Sequence, residues 1–374
     1  MTKVTVRDIV RKFQSFAPES LALGKDPVGL HFGFLDQEIH KVLLTLDVRP
    51  EVVQEAIAKD CDMILAHHPP IFKAPKRLTE DDPQQAMYAE LIRHGIAVYA
   101  AHTNLDAAWG GMNDWLAEAY DIVDTEVLYS YQEDKKYRIK VYLPKENLAD
   151  YQAAIFGAGY AQVGNYDQVS FTSKGQGHFR PLDQANPSIG SVQEETAVDE
   201  VVFSFLVSQS ELSAALDLAR DLHPYEEAVI DVVSLANKGQ VLGIGRVGQL
   251  KTPMPFRDYV HLVKERTGVD ALRAVVWNWD QEVERVAVLG GSGADEYPYA
   301  IAKDADVYIT ADVSYHTGHD MIANRLNVID PGHHMESICK DKLAQVLVTW
   351  IEEEDWPLAY ASSQLNTDPF TFVY

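Results

Sequence analysis

Side chains that could bind a metal ion follow three separate predicted strands of this 374-residue sequence. The first pair is His67 and His68, which end an apolar run in the segment Ala-His-His-Pro-Pro. In a parallel sheet, the carboxyl ends of the strands border the crevice where ligands bind. Two imidazoles at such an end can each offer a nitrogen to a metal, and the two prolines stiffen their backbone. Taken alone, the pair is a weak indication, because adjacent histidines in a loop often have only a structural role.

The next two groups of candidate ligands follow later strands. A run ending in His-Thr-Asn-Leu-Asp brings His102 and Asp106 to the same predicted edge. Near the C-terminus, Gly332 permits a sharp turn, and a spacing of three residues puts His333 and Glu336 on one face of a first helical turn. These residues also have structural explanations. His102 could be a hydrogen-bonded core residue, and Asp106 could cap a helix. Glu336 could interact favourably with the helix dipole. The coincidence of three strand ends favours a binding site over these separate explanations.

The candidate ligands combine imidazole nitrogen with carboxylate oxygen. They are His67, His68, Asp106, His333 and Glu336. Such a mixed set suits borderline divalent metals such as Zn, Mn, Fe or Co. With two carboxylates available for bridging, two ions could share the set. A pair of ions lowers the pKa of a bridging water and binds the attacked and leaving oxygens of a hydrolytic reaction.

The two ends of the sequence must supply the strands that position these residues. Both ends alternate short β-branched runs with helical patterns, which is typical of βαβ units around a mixed, mainly parallel sheet. The predicted strands are 42–48, 63–67, 97–102, 283–289, 307–310 and 327–329. The predicted helices are 50–59, 84–94, 112–120, 295–303, 315–324 and about 335–353. We therefore predict a discontinuous α/β outer domain formed by residues 1–127 and 236–374.

The middle of the chain has a different sequence pattern. Residues 128–235 carry alternating strands, helical stretches at 146–156 and 210–222, and a segment rich in Gly, Ser and Gln. A βαββαβ order of this kind predicts a ferredoxin-like α+β module. We therefore predict that 128–235 form a domain inserted into a loop of the outer domain, so that any outer-domain site draws residues from both ends of the sequence.

The charge and the cysteine content disfavour some partners and compartments. The chain has 56 Asp and Glu against 32 Lys and Arg, a formal charge of −24, which disfavours broad contacts with nucleic acid or anionic lipid. Its two cysteines, Cys61 and Cys339, lie far apart beside apolar segments, which predicts buried reduced thiols rather than a disulfide. We find no signal-peptide pattern and no apolar run of about 18 residues in the sequence. These features predict a cytoplasmic protein without a membrane partner.

Seven segments of the two outer parts resemble the NIF-three-like proteins, many of which carry the name GTP cyclohydrolase I type 2 homologue. These segments are Asp-Pro-Val-Gly-Leu-His-Phe-Gly (26–33), Leu-Ala-His-His-Pro-Pro-Ile-Phe (65–72), Ala-His-Thr-Asn-Leu-Asp (101–106), Gly-Gly-Ser-Gly (290–293), Asp-Val-Ser-Tyr-His (312–316), Asp-Pro-Gly-His (330–333) and Asn-Thr-Asp-Pro-Phe (366–370). The middle resembles the CutA/PII-like insert of the longer members. Its matching segments are Gly-Asn-Tyr (164–166), Gly-Gln-Gly-His-Phe-Arg-Pro (175–181) and His-Pro-Tyr-Glu-Glu-Ala (223–228).

The resemblance implies a toroidal homohexamer whose dinuclear metal centre faces an internal cavity. It implies that His67 and His68 are the paired-histidine ligands and that Asp106 is the aspartate ligand that closes its segment. The C-terminal ligands would be His333 and Glu336.

One departure from the family pattern concerns the C-terminal ligands. Some relatives have the glutamate four residues after the histidine, whereas Glu336 comes three residues after His333 and two after His334. We favour His333 because it follows the glycine directly, and His334 stays as the alternative.

A second departure is Thr-Ala-Asp at 310–312, where relatives often have Thr-Gly-Asp. It leaves Asp312, His316 and His319 available near the cavity. We assign these residues and His102 to orienting the ligands or transferring protons rather than to the metals. Of these, His102 and His316 are the candidate catalytic residues.

Two functions compete on these observations. The first is a metal-dependent hydrolase that acts on a nucleotide or a related phosphate or cyclic amide, with His102 or His316 transferring protons. The second is a non-catalytic metal-binding or regulatory hexamer, in which the insert binds an effector or a partner. A third function, DNA or transcription-factor binding, conflicts with the negative charge, and no helix-turn-helix pattern or basic stripe is visible.

Overall fold

The computed structural model describes residues 3–373 and divides the chain into two compact units. One unit comprises Met1–Tyr131 together with Leu242–Tyr374, and the other comprises Gln132–Val241. The domain limits predicted from the sequence, after residues 127 and 235, lie a few residues before these junctions. We call the first unit the outer unit and the second the insert.

The helices and strands follow one another in three stretches of chain. The first contains α1 (Val6–Phe16), β1 (Gly29–Phe32), β2 (Lys41–Thr45), α2 (Pro50–Ala58), β3 (Met63–Ala66), α3 (Pro83–Arg93), β4 (Ala97–Ala100), α4 (Thr103–Ala107), α5 (Met112–Ala119) and β5 (Ile122–Asp134). The second contains β6 (Lys136–Pro144), α6 (Leu148–Gly157), β7 (Ser170–Phe179), β8 (Thr196–Ser208), α7 (Leu212–Asp221) and β9 (Ile230–Ser234). The third contains β10 (Gln240–Pro255), α8 (Phe256–Thr267), β11 (Arg273–Val275), β12 (Glu282–Val288), α9 (Tyr297–Ala302), β13 (Val307–Ile309), α10 (Tyr315–Ala323), β14 (Asn327–Asp330), α11 (Cys339–Glu354) and β15 (Ala359–Ser362).

The outer unit is a mixed α/β structure, as predicted, but it has two sheets rather than one. The first sheet has the order β1-β4-β3-β2-β15, in which only β1 runs antiparallel to its neighbour. The second has the order β11-β14-β13-β12-β10-β5, with parallel pairs at its centre and antiparallel pairs β11/β14 and β10/β12. Each half of the chain forms most of one sheet, because its short βαβ connections pair neighbouring strands.

The central strands of the first sheet are buried on both faces. In β3, Met63 and Leu65 join one hydrophobic core, while Ile64 and Ala66 join another on the opposite face. Successive side chains of a strand point to opposite faces, so burial of both faces produces a continuous apolar run. The first of these cores also contains Val288 and Leu343, so the two ends of the chain pack together.

Local signals set the ends of several helices. Helix α3 begins with Pro83 in its first turn, and the side chain of Asp82 accepts hydrogen bonds from the backbone amides of Gln84 and Gln85. Gly95, at φ +62, follows its end. The helix predicted from about residue 335 begins differently, because His333–Ile338 form a 3-10 helix that precedes α11.

The insert has the predicted ferredoxin-like topology. Its sheet has the order β7-β8-β6-β9 with all pairs antiparallel, and α6 and α7 complete a βαββαβ order. Ile139, Val141, Phe203 and Phe205 are fully buried in a core that belongs to this unit alone. The likeness to CutA/PII-like domains stays a prediction. Among the helices of residues 3–373, none combines the length and the apolar character needed to cross a bilayer.

One buried ion pair ties β10 to α5 inside the outer unit. Arg246 is 0% exposed, and its Nε and Nη2 donate to the two carboxylate oxygens of Asp114 at 2.7 and 2.8 Å. Its guanidinium also donates to the Ala108 carbonyl at 3.0 Å and lies 4.4 Å from the Trp109 ring centroid. Removing one partner of such a pair leaves a partly buried charge without compensation.

We expect Arg246→Ala to lower the free energy of unfolding of the outer unit by about 3–5 kcal/mol. Arg257→Ala, which removes an exposed ion pair with Asp280, should change it by less than about 1 kcal/mol. Urea unfolding followed by tryptophan fluorescence measures both values, because all 6 tryptophans lie in the outer unit. Equal losses for the two variants would contradict a special role for the buried pair.

Candidate metal centre

The structure brings all five predicted ligands together at the strand ends. The Nε2 atom of His67 lies 3.7 Å from Asp106 Oδ1 and 3.7 Å from Glu336 Oε1. The Nε2 atoms of His68 and His333 lie 3.1 and 3.2 Å from Glu336 Oε2. Glu336 is therefore the centre of the cluster, with one oxygen facing each side.

Four imidazoles point the same ring nitrogen into this cluster, because an oxygen acceptor holds the other nitrogen. Each Nδ1 lies within hydrogen-bonding distance of an oxygen: His67 of the Ala101 carbonyl at 2.7 Å, His68 of Asp47 at 2.7 Å, His102 of Asp26 at 2.9 Å and His333 of Asp312 at 2.8 Å. A carbonyl or a carboxylate can only accept, so Nδ1 carries the proton and donates it. The lone pair of each neutral imidazole is then on Nε2, as metal-binding histidines require.

Two buried atoms of the cluster have no hydrogen-bond partner. These are Nε2 of His67 and Oδ1 of Asp106, in side chains that are almost fully buried. Buried polar atoms are nearly always hydrogen-bonded, and each exception requires an explanation. Both atoms belong to groups of three side chains whose ligand atoms lie within 4.8 Å of one another and could hold a metal ion. The donor set therefore fits a cation.

The cluster also shifts the pKa values of its members. Burial, together with the charge of Glu336, raises the pKa of Asp106. Burial would do the same to Glu336, but the neighbouring imidazoles outweigh it and hold the pKa of that carboxyl well below its usual range. Burial opposes the charge on His68, yet hydrogen bonds to Asp47 and Glu336 raise its pKa to about 10. The Glu336 hydrogen bond raises the pKa of His333 to about 9. Protons therefore compete with any metal ion for these nitrogens.

The glycine loop 290–293 lies directly against the cluster. A Cβ atom at Gly290 would lie 2.9 Å from Glu336 Oε1. At Gly291, which has φ +62, it would lie 2.8 Å from the same oxygen and 3.0 Å from His333 Nε2. Only glycine lets the backbone approach the candidate ligands this closely.

A cavity of about 760 Å³ opens over the cluster. His68, His102, Asp106, His333 and Glu336 all line it. Its volume lies in the range of small-molecule sites, roughly 300–1,000 Å³. The cluster is therefore reachable by a small ligand.

The geometry separates the two C-terminal histidine candidates. His333 places Nε2 beside Glu336, whereas the Nε2 of His334 is buried without a hydrogen-bond partner. The lining of the cavity over the cluster includes His333 and does not include His334. The structure therefore favours His333 as the candidate ligand.

The other sequence-based candidates divide into two groups. His102 joins the cluster, since its ligand atom groups with those of His67 and His68. His316 is not brought there, because it lies exposed on α10 with its ring beside Tyr315 and lines none of the larger cavities. His319 lies exposed on the same helix.

Sequence reasoning missed the roles of two aspartates. Asp47 follows β2 and is the hydrogen-bond partner of His68, while Asp26 is the partner of His102. The strand-end rule that selected the histidines would also have selected Asp47. Nothing in the sequence shows that Asp26, which is 76 residues before its partner, belongs beside it.

Fold and cluster together define an α/β protein with a candidate histidine and carboxylate metal centre at the carboxyl ends of its strands. Comparison with known proteins specifies the family. The chain belongs to the Duf34/NIF3 (NGG1p interacting factor 3) family, whose profile matches residues 4–369.

Relatives of similar length support this assignment. The chain is 40% identical over 370 residues to the GTP cyclohydrolase 1 type 2 homolog of Bacillus subtilis, covering 99% of both chains. It is 36% identical to the protein of that name in Halalkalibacterium halodurans, covering 98% of both. Among solved structures, it superposes on a Bacillus cereus protein related to NIF3 with a TM-score of 0.92, at 36% identity and complete coverage of both chains.

We expect metal binding to release protons and to weaken as the pH falls. With pKa values of about 10 and 9, His68 and His333 are protonated at pH 7 and must lose those protons to bind Zn²⁺. Zinc titration calorimetry at pH 7 in two buffers of different ionisation enthalpy measures the number released. His68→Ala should release fewer protons, and identical heats in the two buffers would contradict the prediction.

Proposed function

We propose that the cluster holds two divalent metal ions in each subunit and that the protein is a metal-dependent hydrolase. Its substrate would be a nucleotide or a related phosphate or cyclic amide. The observation that carries this proposal is the pair of buried, unpartnered atoms, His67 Nε2 and Asp106 Oδ1, which lie 3.7 Å apart beside a shared glutamate. The name of the relatives, GTP cyclohydrolase 1 type 2 homolog, supports a nucleotide as substrate.

The side chains of the cluster form two sets that would each hold one ion. His67 and Asp106 would bind the first with Glu336, and His68 and His333 would bind the second with the same glutamate. Glu336 suits a bridging role, since Oε1 faces His67 and Oε2 faces the other two histidines. When bound, two such ions lower the pKa of a bound water, and their positive charge stabilises the oxygens of the reacting group.

His102 would hold and move a proton beside these ligands. Its Nδ1 lies 2.9 Å from both carboxylate oxygens of Asp26, and the backbone amide of Thr103 donates to the same carboxylate at 3.1 Å. Asp26 therefore fixes the ring orientation and the tautomer, so that Nε2 faces the cavity. His316 has no part in this proposal because it lies away from the cluster.

The remaining expectations from the sequence and its family resemblance stay proposals. They are a toroidal homohexamer, a cytoplasmic location, and Zn, Mn, Fe or Co as the metal. The mixed nitrogen and oxygen donors of the cluster support that choice of metals.

The insert supports a second candidate, a non-catalytic metal-binding regulatory hexamer. A cavity of about 410 Å³ lies within the insert, lined by residues of both of its longer motifs, including Phe179, Arg180, Tyr225 and Glu226. An effector pocket there would suit a regulatory protein. Two results together would support this second candidate. The metal-loaded protein would turn over no compound in a hydrolase panel, and a ligand found by thermal-shift screening would no longer shift the melting temperature of Arg180→Ala.

We expect Asp106→Ala to reduce bound metal by about one ion per subunit and turnover by more than about 100-fold. The aspartate belongs to only one of the two ligand sets, so the second ion should remain. Metal analysis and a screen against GTP and a hydrolase panel measure both effects, with the exposed His261→Gln as control. Unchanged turnover in Asp106→Ala would defeat the hydrolase assignment.

We expect His102→Gln to lower kcat by roughly 100-fold or more with bound metal unchanged. Asp26→Asn should also lower kcat and alter its pH profile, since an amide can donate as well as accept and no longer fixes the imidazole tautomer. A loss of metal from His102→Gln equal to that from Asp106→Ala would instead make His102 a ligand.

A further inference from the structure

We propose that the ligand of the metal cavity carries a phosphate group, bound between the glycine loop 290–293 and the side chains of Arg49 and Lys73. This inference rests on the proposed function, because it concerns the same cavity. It assigns a binding role to the glycine loop and to two cations outside the candidate metal ligands.

The two cations line the cavity without a partner of their own. Arg49 stands just before α2, and Lys73 lies in the loop that follows His68. Both are exposed, and within residues 3–373 neither makes an ion pair or a side-chain hydrogen bond. By contrast, Lys12 and Arg246 of the same unit are paired with carboxylates. In a chain of charge −24, two unpaired cations at one cavity favour an anionic ligand.

The glycine loop adds backbone donors to the same cavity. The amides of Gly290 and Gly293 anchor the loop by donating to Asn113 Oδ1 at 3.0 Å and to Thr310 Oγ1 at 3.1 Å. Between them, the amides of Gly291 and Ser292 have no acceptor in the described part of the chain. Successive amides around a left-handed glycine form an anion-binding concavity, and Gly291 has φ +62.

The metal-loaded cavity would carry a net positive charge. Four carboxylates line it and outnumber its two cations; they are Asp47, Asp106, Glu296 and Glu336. Two divalent ions add four positive charges, which leaves the loaded cavity positive if the imidazoles are neutral. A phosphate, with up to two negative charges, complements that state. The largely exposed Phe72 also lines the cavity and offers an apolar surface to the rest of the ligand.

The test is calorimetric binding of phenylphosphonate, a phosphate analogue without a hydrolysable ester, to the full-length zinc-loaded protein. We expect Arg49→Ala and Lys73→Ala each to raise its Kd roughly tenfold, since each removes a charge-assisted contact. The matched control is Lys76→Ala, which removes an exposed cation of the same loop that does not line the cavity. Metal analysis must show the same zinc content in all variants.

Two comparison ligands complete the test. Benzyl alcohol should not compete, and benzoate should bind more weakly than phenylphosphonate. The inference is overturned if the double variant, with Arg49→Ala and Lys73→Ala combined, binds phenylphosphonate as tightly as the parent protein. It is also overturned if benzoate binds more tightly than phenylphosphonate. The hydrolase proposal fails separately, through unchanged turnover in Asp106→Ala, because the binding assay requires no turnover.

Discussion

The buried carboxylate of Glu336 is the constraint on which the rest of the site depends. It is 2% exposed and has three imidazole nitrogens around it. A buried charge is costly unless it is paired, so the surrounding elements must supply positive charge in the form of imidazolium or a metal ion. The chain meets this demand with histidines from two strand ends and with a glycine loop that leaves room for them.

Oxygen acceptors around the cluster fix the orientation of its imidazole rings. Each of four histidines donates a hydrogen bond from Nδ1 to one of these acceptors, which are Asp26, Asp47, Asp312 and one backbone carbonyl. The four rings therefore present the same nitrogen to the centre. These acidic residues, which are far apart in the sequence, therefore share the role of orienting the histidines. Only a few of the 56 carboxylates of this acidic chain therefore contribute to the candidate metal centre.

Much of the fold was predictable because hydrophobic burial leaves a readable pattern. The apolar runs at β3 and β4 coincide with strands, since both faces of the first sheet are covered by core. The partition of the outer unit into two sheets was not predicted, because it depends on which strands pair at the sheet edges. The start of the last helix also differed, as the turn at His333–Ile338 is a 3-10 helix. Its spacing of three residues per turn still aligns His333 with Glu336.

The sequence by itself determined which residue types stand at the carboxyl ends of the strands, and therefore the five candidate ligands and His102. That information is local, because parallel strands bring their ends to one edge. Only the tertiary structure decided that His333 rather than His334 faces Glu336, that His316 lies elsewhere, and that Asp26 supports His102. These outcomes depend on distances between atoms far apart in the chain, such as His68 and Glu336, which are separated by 268 residues and lie 3.1 Å apart. No local pattern encodes such a distance, since it results from the packing of the two halves into one core.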